Sequence, residues 1–557
     1  MSYRVCIPTA GLGSRLGAVA ERRNKSLVSV ANKPVLAHVV EQFPETARFV
    51  IALGFGGELV REFLEIAYPE RAFDFVEIDR YEGPGAGLGY TILCCRPLLE
   101  EPFVFCSCDT ITTDPIPVPD QNWMAYTKVE DLGAYRTLRI RGGRVEEICE
   151  KGVTGDDLRA YIGLAGISDH EAFWKAMEDG RRSGSIEVGE SHGMRALLEL
   201  GVHSFEFRWF DTGNPEALAE TRASLSPARG PNLLEKPAES IWFVGGNVIK
   251  YAEDTAFIAN RVERARLLEG FCPTVEASTR HMYRYRWVEG KVLSELVTLP
   301  IFEELLRHST KFWRSIELDG DGMRRFHEAC LAFYRDKTRQ RVQLFLDRFG
   351  RTDREEQING IRTPAVRELL QSLDWEWLVD GKPVRFHGDY HFENILLGDD
   401  GRLHFLDWRQ EFGGSLSVGD LYYDLAKLKH GLLVSHELVL ARQFSVQDGP
   451  EGVRFELLRR QILVECERRL ERFLVESGLD AAKVDVLTAL VFLNIAALHD
   501  HPYCQLLFHL GRSLLFEATE CRGASRLASQ EAGCLRPAAP PPEPRPAYGA
   551  RAVGELA

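Results

Sequence analysis

The sequence predicts an α/β chain in two parts: a doubly wound, mostly parallel sheet over residues 1–225 and a bilobal α+β part over residues 240–520. Three observations predict it. Short β-branched runs alternate with helical ones through the first 225 residues, the rhythm of crossover units on a parallel sheet. The stretch SLSPARGPNLLEKPAES, Ser224 to Ser240, is rich in Pro, Ser and Gly and marks a joint, read as a linker at 226–239. Beyond it a small strand-bearing segment gives way to long helical ones.

In order, YRVCIPTA is a strand ending at a glycine turn, KPVLAHVVEQF a helix, RFVIALGF a strand and GELVREFLEIA a helix. DFVEID and PFVFCSCDT follow as strands, the second stopping at an aspartate. Ligands of such sheets sit at the carboxyl ends of the strands. After the joint, IWFVGGNVIKYA reads as a hairpin, ANRVERARLL as a helix and MYRYRWVEG as a strand. From about Glu303 to about Leu378 the pattern is mainly helical; PVRFHGDYHFENILL and GRLHFLDW bring short strands and loops, and helices return to about residue 520. Residues 521–557, with LRPAAPPPEPRPAYGARA, lack the apolar content to bury a core and are expected to be a disordered tail.

The chain has 557 residues, enough for about three domains at roughly 100 to 200 residues each. A formal charge of −14 argues against a general nucleic-acid binder, which needs a basic face to displace counterions. No apolar stretch approaches the roughly 20 residues that span a bilayer, and the start MSYRVCIPTAG lacks a signal peptide, so a cytoplasmic protein without membrane insertion is expected. The twelve cysteines form no CxxC pairs and are read as reduced, mostly buried thiols.

Thr9 to Gly17, TAGLGSRLG, follows the first strand directly. Its glycines, with Ala10, Gly11 and Gly13 as the candidate contacts, let backbone N–H groups approach a polyphosphate, and Arg15 adds a charge-assisted contact. The loop completes neither a Walker A motif nor a dinucleotide fingerprint. Lys25 stands where a second cation would reach the same phosphates, unless it is an ordinary surface lysine. Asp109 and Asp211 each close a strand, as two magnesium-binding carboxylates would, or as helix caps would.

These residues resemble the sugar-nucleotide and phosphocholine nucleotidyltransferase family. Gly11, Gly13, Arg15, Leu16 and Lys25 match its GxGxRL and lysine pattern, and Asp109 and Asp211 match its metal aspartates. Glu150 and Lys151 in CEKG resemble its EKP segment, whose lysine meets the acceptor phosphate. GPGAGLGY, with Gly85 and Gly87, resembles the segment near the base. Asn24 and Gly152 stand where the family has proline. The resemblance implies that a phosphate monoester attacks the α-phosphorus of a nucleoside triphosphate, with Mg2+ held by Asp109 and Asp211 and pyrophosphate leaving. CTP is preferred because the region looks nearer to the phosphocholine branch.

HGDYHFENILL followed by FLDWR is the most specific signal in the chain. His387, Asp389 and Asn394 form HxDxxxxN, and Asp407 ends the next apolar strand. In a phosphoryl transferase such an aspartate orients the acceptor hydroxyl, while the asparagine and second aspartate hold magnesium on ATP. The region resembles the aminoglycoside phosphotransferase and choline kinase family. The resemblance implies Asp389 as catalytic base, Asn394 and Asp407 as metal ligands, Lys250 as the phosphate-gripping strand lysine and Glu263 as its helix partner, with Glu269 a second choice. Tyr285 to Gly290 would be the hinge against adenine. Asp420 and Asp424 fall on a following helix, where a structural role is expected. The glycine loop before Lys250 is shortened to Gly245 and Gly246.

A kinase makes a phosphate monoester and a nucleotidyltransferase consumes one, so the fusion predicts two consecutive steps on a small hydroxylated metabolite, an amino alcohol such as choline or a sugar, for surface polysaccharide. ATP and a second nucleoside triphosphate are the implied partners. Trp408, Tyr422 and Tyr423 would form a choline cage or, as such aromatics more often do, simply pack. Two alternatives stay open: a nucleotidyltransferase with a non-catalytic kinase-like domain, and an antibiotic-modifying kinase with a vestigial first domain.

Overall fold

The computed structural model describes residues 3–19, 21–184, 189–225 and 238–534. Most of the linker expected at 226–239 lies outside these residues, and its last position, Glu239, already belongs to a strand, Glu239–Val244. Two compact units form: Met1–Gly290 with Leu397–Glu411, and Lys291–Leu396 with Phe412 onward.

In the first unit a nine-stranded sheet runs in the spatial order Phe73–Glu77, Arg48–Leu53, Arg4–Pro8, Phe103–Cys106, Leu158–Ile167, Trp123–Thr127, His203–Glu206, Arg144–Cys149 and Thr137–Arg141. The parallel pairing expected from the sequence rhythm holds across the first four strands. The strand Leu158–Ile167 then joins antiparallel, and the remainder is mixed. Phe49, Val50 and Ile51, like Val104 and Phe105, are fully or almost fully buried in succession, because both faces of the sheet are covered. Phe49, Ile51 and Val104 join one apolar core and Val50 and Phe105 a second.

The first of those cores does not stop at residue 225. It takes in Trp242, Val244, Ile249, Tyr251 and Met282 from the four-stranded sheet Glu239–Val244, Asn247–Ala252, Met282–Arg286 and Val275–Ser278. Phe63, on the helix Gly57–Ala67, meets Trp242 edge-on at 5.4 Å between ring centroids. Trp242 Nε1 donates to Ser29 Oγ at 3.0 Å, and the N–H of Phe243, on the edge strand, donates to Asn32 O at 2.9 Å. Glu62, buried on that same helix, accepts from Thr279 Oγ1 at 2.6 Å and from the His281 backbone N–H at 2.9 Å. A buried carboxylate is tolerated because its oxygens are satisfied. The shortened glycine segment is the tight hairpin Gly245–Gly246, whose φ angles of 56° and 75° suit a turn that only glycine enters without strain.

The second unit is mostly helical. Helix Leu421–Leu433 packs between Ala481–Ala496 and Gln461–Glu476. Within the span read as helical lie the strands Glu356–Ile358 and Ile361–Thr363, joined through Asn359 and Gly360 at φ 49° and 82°. They form a sheet with Phe444–Gly449 and Gly452–Leu457. The last helix, Tyr503–Cys534, continues past Glu520, where the composition placed the start of a tail; residues 535–557 lie outside the described residues. No helix among the described residues is long and apolar enough to cross a membrane.

Candidate active sites

The loop after the first strand is set by its neighbours. Thr9 Oγ1 donates to Ala52 O at 2.7 Å, and a Cβ on Gly54 would lie 2.6 Å from Ala10 O, so Gly54 lets the two strand-end loops pack together. Ala10 is buried beneath. A side chain at Gly11, by contrast, would meet nothing of the protein, so the space above this glycine is open to a ligand. Gly13 adopts φ 69°, and Arg15 follows in the short helix Ser14–Val19.

Asn24 fixes the far side. Its Nδ2 donates to Thr9 O and Phe55 O at 2.7 Å each, and its Oδ1 accepts from Ser26 N at 3.0 Å and Ser26 Oγ at 2.7 Å. Every polar capacity of this fully buried amide is used, and the next residue, Lys25, is aimed inward. Asn24→Ala would strand two carbonyls and an N–H, an expected loss of about 1–3 kcal/mol measurable by denaturant unfolding. The same substitution is expected to weaken any step that depends on Lys25.

Lys25 Nζ donates to Asp109 Oδ2 at 2.7 Å, and Ser107 Oγ donates to the other oxygen. Burial pushes the Asp109 carboxyl up, but the charge and hydrogen bond of Lys25 and the Ser107 hydroxyl outweigh it and hold it at about 2. Asp211 arrives from the strand Trp209–Asp211, which pairs antiparallel with Thr110–Thr112 and puts Asp211 opposite Thr110. Burial raises the Asp211 carboxyl and the neighbouring Asp109 adds to it, partly offset by the Gly213 N–H, which donates to Oδ1 at 2.9 Å. A Cβ on Gly213 would lie 3.1 Å from Asp211 Oδ1 and 3.6 Å from both Asp109 Oδ2 and Arg15 Nη2. The glycine therefore leaves a cradle on which two carboxylates and a guanidinium converge. Oxygen donors of this number suit Mg2+, which takes one or two carboxylates and completes its shell with water and substrate phosphate. Among the described residues no set of three or more His, Cys, Asp or Glu side chains is grouped to hold a metal by itself.

Lys151 is exposed. Burial of its inner part and the cations Arg15 and Arg136 lower its pKa, while Asp109 and Asp211 raise it, which places it within electrostatic reach of the cradle. Glu150 does not reach inward; it pairs with Arg136 at 3.3 Å and with Arg195. Gly85 and Gly87, at φ 82° and 151°, lie in the loop leading into helix Leu88–Cys95. The motif reading missed Glu190. It is buried at the start of helix Glu190–Ala196 beside Tyr161, and burial raises its carboxyl. Only its position after Gly189 hinted at it.

Of the second set, Lys250 and Asp407 lie in the first unit. Lys250 Nζ donates to Asp407 Oδ1 at 2.6 Å, and Arg261 Nη1 donates to the same oxygen at 3.1 Å. Asp407 sits at φ 58°, in the left-handed region that aspartate enters more readily than most non-glycine residues. Glu263, the helix partner expected for Lys250, instead pairs with Arg266 at 2.8 Å on the helix Thr255–Leu267. Arg261 and Glu263 are two residues apart, about 200° around a helix, so the phase that brings Arg261 to Asp407 turns Glu263 away. Trp408 is fully buried and donates to Arg261 O at 2.9 Å.

In the second unit, the loop His387–Asn394 is pinned by Asp424, which accepts from the N–H groups of His387 and Gly388 at 2.7 Å each and from Trp313 Nε1 at 3.0 Å. Asp389 then faces Lys427 Nζ at 2.7 Å and Asn394 Nδ2 at 3.0 Å. Burial would raise its carboxyl, but Lys427 and His391 bring it well below the usual range. Asn394 spends its Nδ2 on Asp389 and leaves its carbonyl oxygen for a cation. Asp407 and Asn394 thus each offer the oxygen donors that Mg2+ requires. Tyr422 is buried with its hydroxyl accepting from Asp480 N, and Tyr423 packs on Phe333 at 4.9 Å between centroids, so both serve packing.

Asp420 caps that helix and is structural. It accepts from Lys382 N, Tyr422 N and Tyr334 Oη, and burial lifts its carboxyl from 3.8 to about 6. The native state holds this proton more tightly than the unfolded chain, so stability falls as pH rises from about 4 to 6 and the penalty is complete above that, on the order of 3 kcal/mol. Asp420→Asn keeps one acceptor oxygen and can donate to the Tyr334 hydroxyl. It is expected to flatten this pH dependence and to equal or exceed the native chain above pH 6 in urea unfolding.

Residues 261–454 match the model of the phosphotransferase enzyme family, APH. The N-terminal region is 22% identical over 213 residues to the bifunctional protein GlmU of Methanococcus maripaludis, covering 37% of this chain and 50% of that protein. It is 28% identical over 229 residues to the low-salt glycan biosynthesis nucleotidyltransferase Agl11 of Haloferax volcanii, covering 38% and 63%. The chain spans about half the length of the first of these relatives. Among solved structures, CTP:phosphocholine cytidylyltransferase (LicC) from Streptococcus pneumoniae aligns with TM-score 0.34 and 17% identity over 40% of this chain and 99% of that one. The chain joins a region similar in sequence to nucleotidyltransferases to a segment that matches the phosphotransferase enzyme family model.

Proposed function

We propose that the chain is a bifunctional enzyme: ATP phosphorylates a small hydroxylated metabolite, and a nucleotidyl group from a second triphosphate, CTP in the first instance, is transferred onto that phosphate with release of pyrophosphate. The observation that carries the reading is the convergence of Arg15, Asp109 and Asp211 around Gly213. At this centre a phosphate monoester is already an anion at neutral pH and needs little base. The barrier is mutual repulsion of phosphates, which the loop N–H groups, Arg15 and Lys25 offset, while Lys151 steers the incoming monoester. Mg2+, held by Asp109 and Asp211, would supply charge neutralisation across the triphosphate.

For phosphoryl transfer, Asp389 of the second unit orients the acceptor hydroxyl and takes its proton and Asn394 would offer Mg2+ an oxygen; in the first unit Lys250 grips the phosphates and Asp407 would offer Mg2+ its carboxylate. The similarity to a glycan biosynthesis nucleotidyltransferase supports a role in glycan assembly, and a surface polysaccharide made in the cytoplasm completes the proposal. Phosphorus NMR of the full chain with ATP, one of CTP, GTP or UTP, and a panel of choline, glycerol and hexoses tests the reading. A new monoester followed by a diphosphate-linked product and pyrophosphate is expected; no pyrophosphate in any mixture would overturn it.

A further inference from the structure

We propose that Lys427 is a catalytic residue of the phosphotransferase centre, the cation that meets the phosphoryl group as it passes from ATP to the acceptor hydroxyl; this rests on the kinase reading above. One face of helix Leu421–Leu433 runs along the catalytic loop. Asp424 holds the loop's backbone N–H groups, Lys427 Nζ lies 2.7 Å from Asp389 Oδ1, and Gly431 comes so near that a Cβ there would sit 3.2 Å from His391 Cβ. Positions 424, 427 and 431 share one helical face, so the element that builds the loop also delivers the lysine.

Two further facts separate this lysine from a structural ion pair. Its side chain is only 8% exposed while that of Asp389 is 35% exposed, so the pair opens toward solvent on the carboxylate side, where an acceptor must enter. The loop HGDYHFEN itself contains no lysine or arginine. A carboxylate alone would repel the polyphosphate brought against it, and burying a lysine is costly unless its charge is used. An ammonium touching Asp389 is no more than about two hydrogen-bond lengths from a hydroxyl held on the same carboxylate oxygen, near enough for its charge to act on the phosphoryl oxygens that approach that hydroxyl.

In the step, the acceptor oxygen bonds to the γ-phosphorus as the bond from that phosphorus to the β–γ bridging oxygen breaks. ADP leaves with the electron pair, and the hydroxyl proton passes to Asp389. Lys427 shifts from the carboxylate toward the transferred group, gaining a partner as negative charge spreads over its oxygens.

The test uses the full chain with γ-phosphate-labelled ATP and the best acceptor from choline, glycerol and the hexoses, comparing the native protein with Lys427→Met and Lys427→Arg. The expected result is a kcat reduced about 100-fold or more in Lys427→Met, a KM for ATP within about threefold of native, and at least tenfold recovery in Lys427→Arg. A Lys427→Met kcat within threefold of native overturns the proposal. Equal losses in both variants accompanied by equal drops in melting temperature also overturn it, since they mark a packing role. If the native chain transfers no phosphoryl group to any acceptor, the kinase reading falls and the proposal with it; an active native chain with an unimpaired Lys427→Met defeats the proposal alone.

Discussion

Asp109→Asn is expected to lower pyrophosphate release by about 100- to 1,000-fold while leaving phosphorylation of the acceptor within a factor of about three of native, and Asp389→Asn is expected to do the reverse. The asymmetry follows from the partners each carboxylate has. Asp109 is held by Lys25 and Ser107 and faces Asp211 and Arg15 across Gly213, all in the first half of the chain. Asp389 is held by Lys427 and Asn394 on elements of the second unit. Replacing a carboxylate by an amide keeps its size and removes its charge, so the loss falls on the step whose polyanion that charge organises. The check is phosphorus NMR of both full-length variants, with melting curves to show that each remains folded. Pyrophosphate release that survives Asp109→Asn would remove this aspartate from the chemistry. Loss of both steps in either variant would mean that the two centres cannot be assigned to separate residue sets.

The positions of Asp109 and Asp211 were legible because Asp109 follows the strand Phe103–Cys106 by three residues and Asp211 closes Trp209–Asp211, and ligands of such folds sit at strand ends. Asn24 was not, since an asparagine in a loop reads as a turn residue, and only the fold shows that Thr9 O and Phe55 O converge on its amide. Glu263 was chosen because an acid on a helix after a strand lysine is the expected partner, yet helical phase alone would have warned that Arg261 and Glu263 face opposite ways. The hairpin in QINGIRT carried an Asn-Gly signal between two short β-prone runs, and it was submerged in a long helical span. Lys427 left no mark in the motif, because its link to Asp389 bridges |i−j| of 38 positions that only the tertiary fold closes.

The boundary near residue 225 is a joint in composition but not in packing, and this predicts that a fragment beginning at Glu239 will not hold the sheet that carries Lys250. Removing the first half would uncover Trp242, Val244, Ile249, Tyr251 and Met282, which share its core. It would also free the edge N–H of Phe243 from Asn32 and leave His281 and Thr279 without Glu62. A bare apolar face beside an unpaired edge strand is an aggregation surface, so the fragment is expected to be insoluble or to bind ATP at least 100-fold more weakly than the full chain. In the intact chain, Trp242→Ala should cost about 3–5 kcal/mol, because the ring is fully buried against Phe63 and its N–H is bound to Ser29. Because the lost contact belongs to a core shared by both, the thermal tolerance of nucleotidyl transfer and of phosphoryl transfer should fall together. A soluble fragment from Glu239 with native ATP affinity, or a Trp242→Ala chain in which only one activity becomes heat-labile, would show that the two halves are merely adjacent; a joint loss would mean that Lys250 stands on a sheet the first half holds in place.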